Sequence, residues 1–209
     1  MKLGAGHAGG GRWFKGVALC LCAVPLASLL WGVFNDQLGA NPAETLIRSL
    51  GDWTLRMLWL TLAVTPLRQW FNWPLLARCR RGLGLWTFAY ACLHLLAYAW
   101  LDMGLDWSEV LHDVAKRPFI LVGMLTLAVL LPLALTSFNQ AVRWLGARRW
   151  QRLHKAVYVA ALLALLHFYW MRSGKRLYTE VHVYALLLVV LLGWRVWTWW
   201  RGRWGLATA

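Results

Sequence analysis

Residues 82–101 read GLGLWTFAYACLHLLAYAWL, a run without a charged side chain that carries one histidine, His94, beyond its midpoint. A helix of that length spans about 30 Å, the thickness of a bilayer's hydrocarbon core. Residues 118–137 form a second uncharged run of the same kind. Working outward, four more apolar stretches follow the same rule: 13–34, 53–71, 153–171 and 180–200. Arg56 and Arg195 fall inside two of them, where a long side chain can snorkel or face the bundle interior. The pattern predicts an all-α integral membrane bundle of six helices over 13–200. A Gly-rich, disordered tail is expected over 1–12 and a second cytoplasmic tail over 201–209. The first span has a basic start but no clear small-residue cleavage site, so it reads as a retained helix. Between the first two spans, Asn41 and Pro42 open an amphipathic stretch, 44–50, expected to be a short surface helix.

Composition supports this reading. Hydrophobic residues make up 60% of the 209 and charged residues 14%, against about 25% charged in a soluble domain. That excludes disorder and argues against a soluble enzyme, whose core could not bury so much apolar surface. The balance of 22 Lys+Arg against 8 Asp+Glu, +14 net, fits nucleic acid or a membrane surface. The apolar fraction decides for membrane lipid and against nucleic acid. The 17 Trp agree, since Trp gathers at bilayer interfaces. Of the four cysteines, Cys20, Cys22 and Cys92 lie in apolar runs and Cys79 in a basic loop. There is no CxxC and no CxxCH, which disfavours a zinc ribbon and excludes covalent c-type haem attachment.

Charge sets the orientation. Twelve Lys and Arg fall in the two tails, the second loop and the fourth loop, and six in the remaining loops. By the positive-inside rule both termini are expected in the cytoplasm. All eight acidic residues then face outward.

Histidine carries the chemical signal. His7, His112 and His182 lie in the tail, an outer loop and an outer span end, where solvated roles suffice. His94 follows Arg81 by 13 residues and His167 follows Arg152 by 15, which places them roughly 20 and 22 Å from the inner surface. Two imidazoles at one depth on parallel helices can share a metal. Haem suits an apolar slot between helices, and neutral imidazole suits its iron. Polar bonding between helices is the competing role. Zinc lacks third and fourth ligands nearby, and a proton relay lacks intramembrane carboxylates. His154, 13 residues before His167, would not share its face on an ideal helix. With a kink it could serve a second haem near the inner surface, where the third helix offers Arg80 and Arg81. Otherwise it is an interfacial histidine. Arg80, Arg81, Arg148, Arg149 and Arg152 form a basic inner rim, suited to haem propionates or an anionic donor, or simply positive-inside charge.

These residues bring a family into view. The run from Arg80 to Trp86 (RRGLGLW), with Tyr90, His94 and the His154/His167 spacing, resembles ferric-reductase-like transmembrane domains. Within that superfamily the chain is similar to the haem-binding membrane subunits of bacterial periplasmic methionine sulfoxide reductase systems, the MsrQ (YedZ) family. TPLR at 65–68, KRPFI at 116–120, LALTS at 133–137 and LGARRWQRLH at 145–154 carry that likeness.

The resemblance implies a multi-pass protein of the bacterial inner membrane. It implies b-type haem, one or two, with His94, His167 and His154 as metal-binding residues and Arg80 and Arg81 as cofactor-binding ones. It implies FMN, for which no motif is visible. Electrons would come from the quinone pool or a cytoplasmic flavin reductase. They would pass to a periplasmic molybdopterin-containing methionine sulfoxide reductase, which would hold the catalytic site. Eukaryotic-type relatives have a second histidine on the third helix where Arg80 stands, and a fused flavin domain; here a separate donor is expected. Two alternatives stand beside this reading: a stand-alone ferric or quinone reductase of the same fold, and a non-redox membrane transporter whose histidines only pack.

Overall fold

The computed structural model describes residues 5–173 and 178–203, with side chains from Trp13 to Gly202. Among these residues every regular element is helical. The first span is built from α1 (Ala5–Leu21) and α2 (Val24–Phe34). α1 begins inside the stretch 1–12 expected to be a disordered tail, because extending a helix needs no new nucleus; residues 1–4 lie outside the described ones. The break between α1 and α2 has a local cause. Pro25 has no N–H to return to the preceding turn. The hydroxyl of fully buried Tyr90 inserts beside it, donating to the Cys22 carbonyl at 2.8 Å and accepting from the Leu26 N–H at 3.1 Å. One phenol thus replaces a helical hydrogen bond.

The expected surface helix 44–50 and span 53–71 are one continuous helix, α3 (Pro42–Trp70). Asn41 caps it, its side chain accepting from Glu44 N–H at 3.2 Å. Gly51 does not end the helix, since glycine in a helix interior costs only about 1 kcal/mol and Ile47 and Leu50 are buried on either side of the junction. Among the described residues five helical segments are long and apolar enough to cross a membrane: Trp13–Phe34, Arg80–Asp102, Pro118–Leu135, Ala147–Ser173 and Tyr178–Gly202. α3 is not among them, so length and composition support five of the six expected crossings. The physical reason is burial. Leu55, Met57, Leu58, Trp59, Leu62 and Val64 all pack inside the bundle, and a helix shielded by protein can carry polar residues such as Arg56.

Pro66 lies inside α3 and leaves the Leu62 carbonyl without its helical donor. The guanidinium of Arg195 supplies one, bonding the Leu62 carbonyl and, at 2.7 Å, the Leu191 carbonyl of its own helix. The arginine expected to snorkel or face inward therefore faces inward.

A 3₁₀ turn (Pro74–Arg78) leads to α4 (Arg80–Ala97), which ends in a π turn, Tyr98–Asp102. α5 (Trp107–Lys116) is capped by Asp106 and precedes α6 (Pro118–Leu135). α7 (Asn139–Leu145) and α8 (Ala147–His154) meet at Gly146, whose φ of 72° suits glycine. α9 (Val157–Ser173) and α10 (Tyr178–Arg203) complete the chain. α10 runs past residue 200 into the expected second tail; residues 204–209 lie outside the described ones. The broadest helix contacts join α3 to α4 and α6 to α9. On α9, Ala160 and Ala161 are fully buried and Ala164 nearly so, the small side chains that let membrane helices approach closely. α4 also meets α6. These pairings set α4 and α9 across one slot.

Candidate cofactor site

His94 on α4 and His167 on α9 face each other, ring centroids 6.3 Å apart and planes inclined by 73°. Each ring is tied to a neighbouring helix through Nδ1. His94 Nδ1 lies 2.9 Å from the Ile47 carbonyl on α3, and His167 Nδ1 lies 2.6 Å from the Phe119 carbonyl on α6. A carbonyl oxygen only accepts, so each Nδ1 carries the proton and donates. Each Nε2 is left with a lone pair, the form in which imidazole binds metals.

Glycines make this geometry possible. A Cβ on Gly51 would stand 3.0 Å from His94 Cε1, and one on Gly123 would stand 2.9 Å from His167 Cε1. Gly51 is four residues after Ile47, and Gly123 four after Phe119. Each imidazole therefore reaches a carbonyl one turn before a glycine, where no side chain covers the backbone.

The two rings border a cavity of about 240 Å³ walled by α3, α4, α6 and α9, with Leu55, Met124 and Leu127 among its apolar lining. Charged residues gather at the end where α3 begins and α4 and α9 finish: Arg48, Arg117, Arg172, Asp52 and Asp102. Arg172 is committed, its Nη2 reaching Asp52 at 3.1 Å and Glu180 at 3.0 Å. Arg48 and Arg117 each pair with an acid one turn earlier, Glu44 and Asp113, through one nitrogen at 2.7 Å. Tyr98, in the π turn, donates to Asp113 at 2.6 Å.

A second cavity, about 500 Å³, lies at the opposite end of α4. Arg80, Arg81, His154, Lys155, Thr61 and Thr87 line it, and no acid does. Arg81 is braced by Asn139 at 2.8 Å. His154 sits at the α8 end, stacked on Trp150 at 3.9 Å. Its Nε2 is 3.1 Å from Thr136 Oγ1, whose proton goes to the Pro132 carbonyl at 2.6 Å, so His154 donates through Nε2. The structure thus brings His94 and His167 together, and His154 with Arg80 and Arg81 at a separate place. Arg148, Arg149 and Arg152 line neither cavity; all three are exposed.

Among the described residues no group of three or more His, Cys, Asp or Glu gathers as a metal site. A metal between His94 and His167 would need its remaining ligands from a prosthetic group. Sequence reasoning missed the glycine seats and the Arg48, Arg117, Arg172 and Tyr98 wall. No local motif marks them; only the helix pairing does.

The sequence pattern of the ferric reductase like transmembrane component matches residues 50–165, which include α4, α6 and most of the two cavities' walls. A protein of Polaromonas naphthalenivorans is 52% identical over 95% of this chain and 93% of its own length. One from Ralstonia nicotianae is 50% identical over 87% and 84%, and one from Caulobacter vibrioides 43% over 87% and 86%. The chain belongs to the MsrQ branch of the ferric-reductase-like transmembrane family. Each of these relatives is named a protein-methionine-sulfoxide reductase heme-binding subunit, MsrQ. Membership makes this a membrane protein of the electron-transfer type, and the five apolar helices agree with several crossings of the membrane.

Proposed function

We propose that this MsrQ-family chain holds one b-type haem between His94 and His167. It carries electrons across the bacterial inner membrane to a periplasmic molybdopterin-containing methionine sulfoxide reductase. The observation that carries the reading is the facing imidazole pair with both Nε2 lone pairs free. The 6.3 Å between the ring centroids leaves room for a metal ion that both imidazoles would hold. The relatives' printed names supply the haem and the sulfoxide reductase. The absence of CxxCH favours b-type over c-type attachment.

When bound between His94 and His167, haem would supply one-electron chemistry. The chain's own residues do the rest. The Ile47 and Phe119 carbonyls hold protons at the two Nδ1 atoms and fix each ring's orientation. Gly51 and Gly123 give the rings room against α3 and α6. The apolar lining keeps water from the slot. Arg48 and Arg117 line the same cavity with guanidinium nitrogens beyond those paired to Glu44 and Asp113, and would hold carboxylates of the bound group.

In this reading α3 is a sixth crossing, both termini are cytoplasmic, and the His94/His167 slot lies in the outer half of the bilayer. The acid-free cavity of Arg80, Arg81 and His154 then faces the cytoplasm and serves the donor side, through the quinone pool, FMN or a cytoplasmic flavin reductase. A second haem at His154 would bind through Nε2 only by displacing its hydrogen bond to Thr136. The reaction on methionine sulfoxide belongs to the partner.

The test is spectroscopic. Purified wild type should show a low-spin b-type absorption and paramagnetic resonance signal, lost in both His94→Ala and His167→Ala. Retention of the full signal in both variants would sink the ligand assignment. Failure of the wild type to co-purify with a periplasmic molybdoprotein, despite full haem, would leave the stand-alone reductase.

A further inference from the structure

The α7–α8 arm carries four arginines that neither cavity uses. Arg143, Arg148, Arg149 and Arg152 are exposed. Arg143 touches only Gln140, at 3.5 Å, and no salt bridge among the described residues involves any of the four. None could arise locally, because the sequence has no Asp or Glu between Asp113 and Glu180. The apolar neighbours are exposed too: Trp144 is 71% exposed and Phe138 45%, their rings edge-on at 5.9 Å.

Depth identifies the counter-ion. α9 (Val157–Ser173) is 17 residues long, about 26 Å of helix, close to a bilayer's about 30 Å of hydrocarbon. The polar α8 before it is then left outside the hydrocarbon, which would set Arg148, Arg149 and Arg152 at the level of lipid phosphates. The arm is also held in place. Trp150 donates to the Thr136 carbonyl at 2.9 Å and turns its face, with Gln151 and His154, to the second cavity. The arginines are thereby left on the outward side.

We propose that the α7–α8 arm is a binding face for anionic phospholipid, its four guanidiniums taking headgroup phosphates while Trp144 and Phe138 enter the adjoining acyl boundary. The shared chemistry, cations beside aromatics on a short interfacial helix, is that of membrane-surface anchors. A phosphate-level position and flanking aromatic rings favour lipid over an acidic soluble protein. Because α8 also walls the second cavity, bound lipid would hold that wall closed against the bundle.

The experiment uses the intact, purified chain in mixed micelles containing either phosphatidylglycerol or phosphatidylcholine. It reads retained lipid by native mass spectrometry and unfolding temperature. Each arginine near an anionic surface is worth about 1 kcal/mol, roughly a fivefold preference. Replacing all four by Gln should therefore lower phosphatidylglycerol retention by a hundredfold or more and erase its advantage in unfolding temperature. A variant with all four as Lys should keep most of both, which guards against a Gln variant that fails to fold. Arg68→Gln, a single exposed cation elsewhere, should lower retention by no more than about fivefold. Equal retention of the two lipids by wild type overturns the proposal. So does binding of a polyglutamate probe that phosphatidylglycerol cannot displace, which would make the face a protein dock.

Discussion

Gly123 and His167 touch so closely that a methyl group on the glycine would stand 2.9 Å from the ring's Cε1. The same relation holds between Gly51 and His94 at 3.0 Å. In an exposed helix interior, Gly→Ala stabilises by about 1 kcal/mol. Here Gly123→Ala and Gly51→Ala should instead displace the rings, at an overpacking cost of about 1–3 kcal/mol. Haem titration of each variant should show affinity reduced about 10- to 100-fold with the helix content unchanged. Unchanged affinity would mean the rings do not bind in the orientation described.

His154 donates through Nε2 to Thr136 and stands in a different cavity from His94 and His167. His154→Ala should therefore leave the low-spin haem signal intact and slow reduction from the donor side. Neutralising Arg80 and Arg81 together should act in the same direction. Stopped-flow reduction beside a static spectrum separates the two effects; loss of the low-spin signal in His154→Ala would move the haem to the other cavity.

Arg195 satisfies the Leu62 carbonyl that Pro66 leaves open. Arg195→Leu should cost about 1–3 kcal/mol, the penalty for an unpaired buried carbonyl. Pro66→Ala restores the helical N–H, so in that background the same Arg195→Leu change should cost markedly less. Unfolding midpoints of the four proteins in this cycle measure the coupling; strictly additive effects would contradict the pairing.

Cys79 is buried beneath α1, 3% exposed, and burial pushes its thiol above the ordinary range, with Lys15 acting weakly against this. At pH 7–8 it should hold less thiolate than a free cysteine and react slowly with a maleimide. Labelling should rise only on denaturation or at strongly alkaline pH. Rapid labelling of Cys79 in the native protein would show that the α1 contact opens.

A periplasm-dependent reporter fused to the C-terminus should be silent, since the Lys and Arg excess lies at that side. Strong reporter activity would invert the bundle and place the His94/His167 slot nearer the cytoplasm.

Hydrophobic run length and charge were enough to give a helical membrane protein, because a bilayer admits only helices or closed barrels and the run length selects helices. The level of His94 and His167 was equally legible, since helical rise converts residue number directly into depth. Facing is a different matter. Depth says nothing of azimuth, and only the pairing of α3 with α4 and α6 with α9 turns the two rings toward one another. The same pairing brings the Ile47 and Phe119 carbonyls to the rings and gives Gly51 and Gly123 their purpose; in the sequence they are two glycines among 18. α3 (Pro42–Trp70) covers what the sequence divides into a surface helix, 44–50, and a span, 53–71. It is continuous because its neighbours bury what the bilayer would otherwise have to solvate. Long-range contacts thus decided which helix is shielded, which carbonyl is open and which nitrogen is free, and none of these is a property of a local stretch of chain.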